Sequence, residues 1–380
     1  MTDYIYADNA ATTRLAPEVL EAMKPWLTDC YGNASGLYRA GREARRAIEK
    51  SRSTIAELID CEPGEIYFTS GGTESDNWAL AGTLKRAAPE GKTHLITDGI
   101  EHHAVLHTAE ALEKEGFSVS YASADRKGRI SPESVRALMR PETALVSVMF
   151  ANNEIGTIQP VKEIGEICRE YGVAFHTDAV QAAGILPIDV DALNIDLLSM
   201  SAHKFYGPKG IGLLYCRRGK APLNLMHGGK QEKTRRPGTE NTALIVGMAE
   251  AYRIACEERE TKAQQLQEMK DILICGLSHI RGSKINGDIV SSLPGTVNFS
   301  FEGTDGQSLV MELDSLGVAA SSGSACTSGN TEPSHVLRAI GLPHALAQGA
   351  LRISLGRYNT EEEARELVAR IKKAVDTVRL

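Results

Sequence analysis

The chain has 380 residues, 42% hydrophobic and 24% charged, with a formal net charge of −7. That length allows two domains with a sizeable core, and the composition is that of an ordinary globular protein. The negative balance argues against nucleic acid as the main partner, and the longest strongly apolar run, residues 144–151, is far too short to span a bilayer.

The opening stretch "MTDYIYADNAATT" has an early Asp and neither a basic nor an apolar leader segment, so no secretory signal is expected and the expected compartment is the cytoplasm. Strand and helix patterns then alternate. Residues 47–59 are helical, 65–70 a strand, 75–88 helical, 93–97 a strand and 104–116 helical. Further on, 143–151, 173–179, 196–202 and 210–216 are short β-rich runs, with the helical 162–172 between the first two. Such alternation implies an α/β fold with a mostly parallel sheet covered on both faces. After Gly238 the pattern changes to a long helical stretch at about 242–279, a break at 281–288, the strand 296–301 and a helix near 307–316. The strand-like 350–356 and a terminal helix from 360 complete a smaller α+β domain. The division expected is 15–254 for the large domain, with 1–14 and 255–380 forming the small one.

Seven cysteines stand at 30, 61, 168, 216, 256, 275 and 326. They show no Cys-x-x-Cys or zinc-type spacing, and an odd count in a reducing compartment argues against a disulfide framework. Cys168 and Cys216 lie in apolar periodic contexts and read as core. Cys326 lies in "SSGSACTSGN" (321–330), among small polar residues with no packing environment. The basic run "KQEKTRR" (230–236) reads as a solvated loop.

Several strand ends carry chemistry. Lys204, in "SMSAHKFYGPKGIG" (199–212), follows a β-type run beside Ser201 and His203. A lysine held at a buried strand end can be desolvated, so that its neutral amine forms a Schiff base. Asp178, in "FHTDAVQAAG" (175–184), ends an apolar strand, where a carboxylate needs a cation such as a protonated pyridine nitrogen; a helix N-cap is its alternative role. Pyridoxal phosphate asks for both a lysine and an acid. "FTSGGTESDN" (68–77) reads as strand, glycines, helix, with Gly71, Gly72 and Thr73 placed to cradle a phosphate at a helix N-terminus. It lacks the Gly-Lys-Ser/Thr of a nucleoside-triphosphate loop. His102 follows a strand end and suits stacking and proton transfer, whereas His103 and His107 read as helix-surface residues. Asn153 and Glu154 mark another polar strand end. Polar residues at several strand ends fit a ligand site at the carboxyl edge of an open sheet.

Taken in order, "YADNAATT", "YGNASGLYRAGREAR", "FTSGGTESDN", "EHHAV", "NNEIGTIQP", "HTDAVQAAG", "SMSAHKFYGPKGIG", "RRPGTEN", "SSGSACTS" and "LRISLGRYNTEEE" span essentially the whole chain. It thereby resembles the fold-type I pyridoxal-phosphate enzymes of the class V aminotransferase group, and within them the NifS/IscS-type cysteine desulfurases. The resemblance implies a large domain with a mostly parallel seven-stranded sheet flanked by helices, a small domain carrying the Cys326 loop, and a homodimer. It implies conversion of L-cysteine to L-alanine, with the sulfur taken as a persulfide and passed to an acceptor in iron–sulfur cluster assembly or tRNA thiolation. Other class V lyases or aminotransferases, such as selenocysteine lyase, are the alternative activity.

The resemblance also assigns roles. Lys204 carries the Schiff base and moves the Cα proton. Asp178 pairs with the ring nitrogen, Gln181 binds the phenolic oxygen and His102 stacks on the ring. Gly72, Thr73, Ser201 and His203 hold the phosphate, with Thr239 reaching in from the neighbouring subunit. Asn153 and Arg352 bind the substrate carboxylate, Arg352 as a bidentate fork. Cys326 is the nucleophile. No resident metal is implied, and Cys326 is a candidate transient ligand to an iron–sulfur cluster. The chain departs from the family pattern in three places. Gly72 stands where Ala is frequent, Lys230 stands where Gly is usual, and the chain stops at Leu380 without the extended tail of IscS-type members, which weakens the case for a tail-mediated scaffold contact.

Overall fold

The computed structural model describes residues 4–322 and 332–379. The chain opens with β1 (Ile5–Tyr6), α1 (Pro17–Leu27) and α2 (Arg39–Leu58). The alternation that follows is β2 (Ile66–Thr69), α3 (Gly72–Ala87), β3 (His94–Asp98), α4 (His103–Lys114), β4 (Ser118–Ala122) and α5 (Pro132–Leu138). It continues through β5 (Thr143–Ser147), α6 (Val161–Tyr171), β6 (Ala174–Asp178), β7 (Leu197–Ser201) and β8 (Gly212–Cys216). These strands form one seven-stranded sheet in the order β2-β8-β7-β6-β5-β3-β4. Only β8 runs antiparallel to its neighbours. Strands β3, β5, β6, β7 and β8 are buried along their whole length, because helices cover both faces. Their carboxyl ends therefore place polar side chains such as Asp98, Asp178 and Ser201 out of bulk water, where each needs a partner. Cys168 and Cys216 are buried, as their contexts suggest.

A second core lies beyond this sheet. Helix α7 (Thr242–Ser278) is 37 residues long. Its first turns pack Ile245, Met248 and Tyr252 against the large core, and its last turns pack Leu273 and Leu277 into the second. That second core is built from β9 (Ser283–Asn286), β10 (Thr296–Phe301), α8 (Gly306–Ser315), β11 (Val318–Ala319) and β12 (Ser321–Ser322), followed by α9 (His335–Ala339), α10 (His344–Gln348), β13 (Ala350–Ser354) and α11 (Glu361–Val378). The order β12-β13-β10-β9 gives a four-stranded antiparallel sheet. Among the described residues no helix is long and apolar enough to cross a membrane.

The N-terminal segment ties the two parts together. β1 pairs in parallel with β11, and Asp8 bridges to Ser354. The Thr13 N–H then donates to the His203 carbonyl at 2.9 Å and the Ala16 N–H to the Tyr206 carbonyl at 3.0 Å. Residues 7–13 are thereby laid along the turn that carries Lys204.

The basic run at 230–236 differs from the solvated loop expected. Glu232 is buried and accepts from Arg52 Nη1 and Nη2 at 2.9 and 2.7 Å and from the Phe68 N–H at 2.9 Å. Arg236 pairs with Glu74 at 2.8 Å. Lys and Arg dominate the composition of this run, and the one acid within it is what anchors it. Glu232, Lys233 and Thr234 take φ of 43°, 55° and 69°, a left-handed sequence that non-glycine residues adopt only under tertiary constraint.

Candidate active site

The carboxyl ends of β6 and β7, the N-termini of α3 and α4 and the turn after β5 meet around a solvent-open cavity of about 930 Å³. Ten of the residues singled out in the sequence line it: Gly72, Thr73, His102, Asn153, Asp178, Gln181, Ser201, His203, Lys204 and Arg352. Thr239 is exposed and does not line it. Cys326 lies outside the described residues.

Lys204 ends the short 3-10 turn Ala202–Lys204 directly after β7. Its Nζ donates to the Ala10 carbonyl at 2.6 Å and the Ala11 carbonyl at 2.8 Å, so the N-terminal segment fixes where the amine sits. The Ala10 carbonyl also accepts from Gln181 Nε2 at 3.0 Å. Asp178 ends β6, the parallel neighbour of β7, and accepts from the Val180 N–H at 2.8 Å. Burial lifts the Asp178 carboxyl to about 6, while that N–H and the nearby Lys204 ammonium pull it down.

His102 is the N-cap of α4, its Nδ1 accepting from the Ala104 N–H at 3.1 Å. That bond assigns the remaining ring proton to Nε2. Burial first, then Lys204 and three neighbouring histidines, lower His102 to about 4, so the ring is neutral at physiological pH. His103 packs at a tilt against His107 and His335, with ring centroids 4.9 and 4.6 Å apart. His335, distant in sequence, completes this cluster.

The N-terminus of α3 is shaped for an anion. Gly71 precedes it without a side-chain cap, which leaves the first-turn N–H groups for a ligand. A Cβ on Gly72 would meet Val180 Cγ2 at 2.7 Å, so Val180 demands a glycine here. Ser201 and His203 face the same space from the end of β7. Burial and the adjacent Lys204 lower His203 to about 4, and its Nδ1 lies 3.0 Å from Thr12 Oγ1.

Across the cavity, Arg352 of β13 donates from Nη1 to the Asn153 carbonyl at 3.0 Å and from Nη2 to Asp8 at 2.7 Å. Its Nε is buried without a hydrogen-bond partner among the described residues. Two groups here were not singled out from the sequence. Asp8 sits in the quoted "YADNAATT", and a lone acid beside a buried arginine strand was its only signal. Asp76 lines the cavity and is buried. Its signal was helical spacing, since it precedes Ala79 and Leu80 by three and four positions on the buried face of α3.

A lysine amine beside an acid, a neutral imidazole and an uncapped helix N-terminus form a donor set that fits pyridoxal phosphate. The glycine cradle and the orphaned Arg352 Nε fit a phosphate and a substrate carboxylate.

Comparison with known proteins agrees. The family described as Aminotransferase class-V matches residues 5–367. A Clostridium botulinum protein named "Cysteine desulfurase IscS" is 50% identical over 366 residues, covering 96% of this chain and 92% of that protein. Among solved structures, "NIFS-LIKE PROTEIN" superposes with a TM-score of 0.93 at 39% identity, covering 99% of this chain and 100% of that one. "SspA in complex with cysteine" superposes with a TM-score of 0.83 at 40% identity, covering 94% and 100%.

Proposed function

The chain belongs to the class V aminotransferase family and, within it, to the cysteine desulfurases, and on that premise we propose that Lys204, Asp178 and His102 serve the cofactor while Cys326 takes the substrate's sulfur. The observation that carries this reading is that Lys204 and Asp178 leave neighbouring parallel strands and face one cavity with the N-terminus of α3.

Bound pyridoxal phosphate supplies an aldehyde and an electron-withdrawing ring that stabilises negative charge at the substrate's Cα. Lys204 would anchor the aldehyde carbon, and its amine would then carry the Cα proton. Asp178, in its ionised form, would keep a proton on the ring nitrogen. His102 would pack against the ring and Gln181 would hydrogen-bond the phenolic oxygen. Gly72, Thr73, Ser201 and His203 would hold the phosphate. Arg352 and Asn153 orient L-cysteine by its carboxylate, with the unpartnered Arg352 Nε as one donor.

The Cys326 thiolate attacks the substrate sulfur. A sulfur–sulfur bond forms and the carbon–sulfur bond breaks, its electron pair staying on carbon. Protonation there, with return of the Lys204-held proton to Cα, completes L-alanine, and the sulfur remains on Cys326 as a persulfide for an acceptor in iron–sulfur cluster assembly or tRNA thiolation. The chain entering and leaving the Cys326 segment supports this route. Ser321 pairs with Arg352 itself, and on the far side Ser334 donates to Glu154 while His335 Nε2 lies 2.9 Å from the Glu101 carbonyl.

Thr239 completes the phosphate site of a second copy in a homodimer. Tyr31 and Leu37, 83% and 90% exposed in the single chain, provide apolar surface for that copy to cover. The working compartment is the cytoplasm. The activity is tested by incubating the holoenzyme with L-cysteine and a reductant, without any 2-oxo acid. Sulfide and alanine in equal amounts are expected, and absence of alanine would refute the reading.

A further inference from the structure

We propose that Asp76 is a positioning residue for the cofactor's ring nitrogen: it is the protonated member of an Asp76–Asp178 pair and keeps the negative charge on Asp178. This inference rests on the assignment of Asp178 to that nitrogen.

Asp76 and Asp178 line the same cavity, and each has a carboxylate oxygen within 4.8 Å of the other's and of a His102 ring nitrogen. Two carboxylates this close in a buried site resist ionising together, so one of the pair keeps its proton. Geometry decides where it rests. Asp178 has the Val180 N–H at 2.8 Å and the influence of Lys204, both of which favour its anion. Asp76 has neither, and its Oδ1 is buried with no hydrogen-bond partner among the described residues. Burial and the Asp178 charge both raise Asp76 well above the carboxylate range, against a smaller opposing effect of the Ser199 hydroxyl.

Lys204 lines the same cavity and acts on Asp178, and among the described residues no cation is paired with Asp76 to reverse this. His176 Nε2 lies 3.6 Å from Asp76 Oδ1, but burial lowers the imidazole to about 3, leaving it neutral. Its two nitrogens are occupied by Ser147 Oγ at 2.8 Å and Ser199 Oγ at 3.1 Å. His102 is neutral for the reasons given above. Glu101, buried with both carboxylate oxygens unpartnered, is itself raised well above its usual range by burial and by Asp98, Asp178 and Asp76. A proton on Asp76 removes a second negative charge from beside Asp178 and leaves a neutral polar group within 4.8 Å of it. A single carboxylate is then left for the ring nitrogen.

The test uses four variants, each prepared as apoprotein and titrated with pyridoxal phosphate. Asp76→Asn has the shape of the neutral acid and still donates, whereas Asp76→Ala and Asp76→Leu cannot donate. Asp178→Asn checks the underlying assignment. We expect Asp76→Asn to bind the cofactor within about threefold of the native protein and Asp76→Ala or Asp76→Leu about tenfold or more weakly, the size expected for losing a polar neighbour of a buried charge. With ¹⁵N-labelled cofactor, the ring nitrogen should titrate as protonated in the native protein and in Asp76→Asn. Melting of each apoprotein checks the fold, and whichever of the Ala and Leu variants folds decides the truncation. Asp76→Asn as weak as Asp178→Asn would make Asp76 an ionised counter-ion and overturn the proposal. Native affinity in the folded truncation would overturn it as well. If Asp178→Asn alone left both affinity and the ¹⁵N shift unchanged, the assignment of Asp178 would be what fails.

Discussion

Arg352 Nη2 donates to Asp8 Oδ1 at 2.7 Å, joining β13 to the N-terminal segment that also holds Lys204. The guanidinium is nearly buried and Asp8 largely so, with side-chain exposures of 6% and 16%. The pair therefore fixes the fork proposed to receive the substrate carboxylate. Removing one partner leaves a poorly compensated charge. Asp8→Ala is expected to raise KM for L-cysteine about tenfold while changing kcat less than about threefold, because the lost interaction orients the substrate in ground and transition states alike. Steady-state kinetics check this, and an unchanged KM would show that Arg352 is positioned without Asp8.

Gly72 and Val180 share one small volume. A Cβ at Gly72 would lie 2.7 Å from Val180 Cγ2, so Gly72→Ala must displace either Val180 or the first turn of α3. Cofactor affinity is expected to fall about tenfold, in line with the cost of overpacking a filled site. The double variant Gly72→Ala/Val180→Ala should recover most of the loss, because the clash disappears. Equilibrium titration of the apoproteins measures both, and failure of the double variant to recover would place the constraint in the backbone.

How far the sequence could be read depended on burial. The strand at 296–301 and the long helix near 242–279 match β10 (Thr296–Phe301) and α7 (Thr242–Ser278) closely, because each carries a strong apolar pattern. β4 (Ser118–Ala122) and β9 (Ser283–Asn286) were not identified as strands. Both are sheet edges, and their partly exposed Ser, Tyr and Lys side chains dilute the two-residue period. The site was legible where a residue type announces its chemistry, as with Lys204, Asp178 and His102. Asp8 and Asp76 were missed, since their role comes from what the fold sets opposite them. The buried Glu232 anchor was hidden among lysines and arginines for the same reason.

Glu154 is a buried acid lifted from its ordinary value to about 7, chiefly by burial, against Ser334 and Arg352, which lower it. Because its folded value is raised, the stability linked to its proton is present below the unfolded carboxyl range and is lost as pH rises through about 7. Glu154→Gln cannot lose that proton. The melting temperature of Glu154→Gln minus that of the native apoprotein should therefore increase by several degrees between pH 5 and pH 8. Other raised acids, including Asp98 and Asp178, act in both proteins and cancel in the difference. A difference independent of pH would mean that Glu154 is ionised throughout.

The central claim is that Lys204 and its cofactor release sulfur onto Cys326. The most direct measurement is mass spectrometry of the holoenzyme after a brief reductant-free exposure to ³⁵S-labelled L-cysteine, beside the Cys326→Ala variant. One labelled sulfur on the Cys326 peptide is predicted, removable by thiol, with alanine formed in equal amount. The Cys326→Ala protein should retain its cofactor and carry no label. Label on another cysteine, or undiminished sulfur release by Cys326→Ala, would contradict the account.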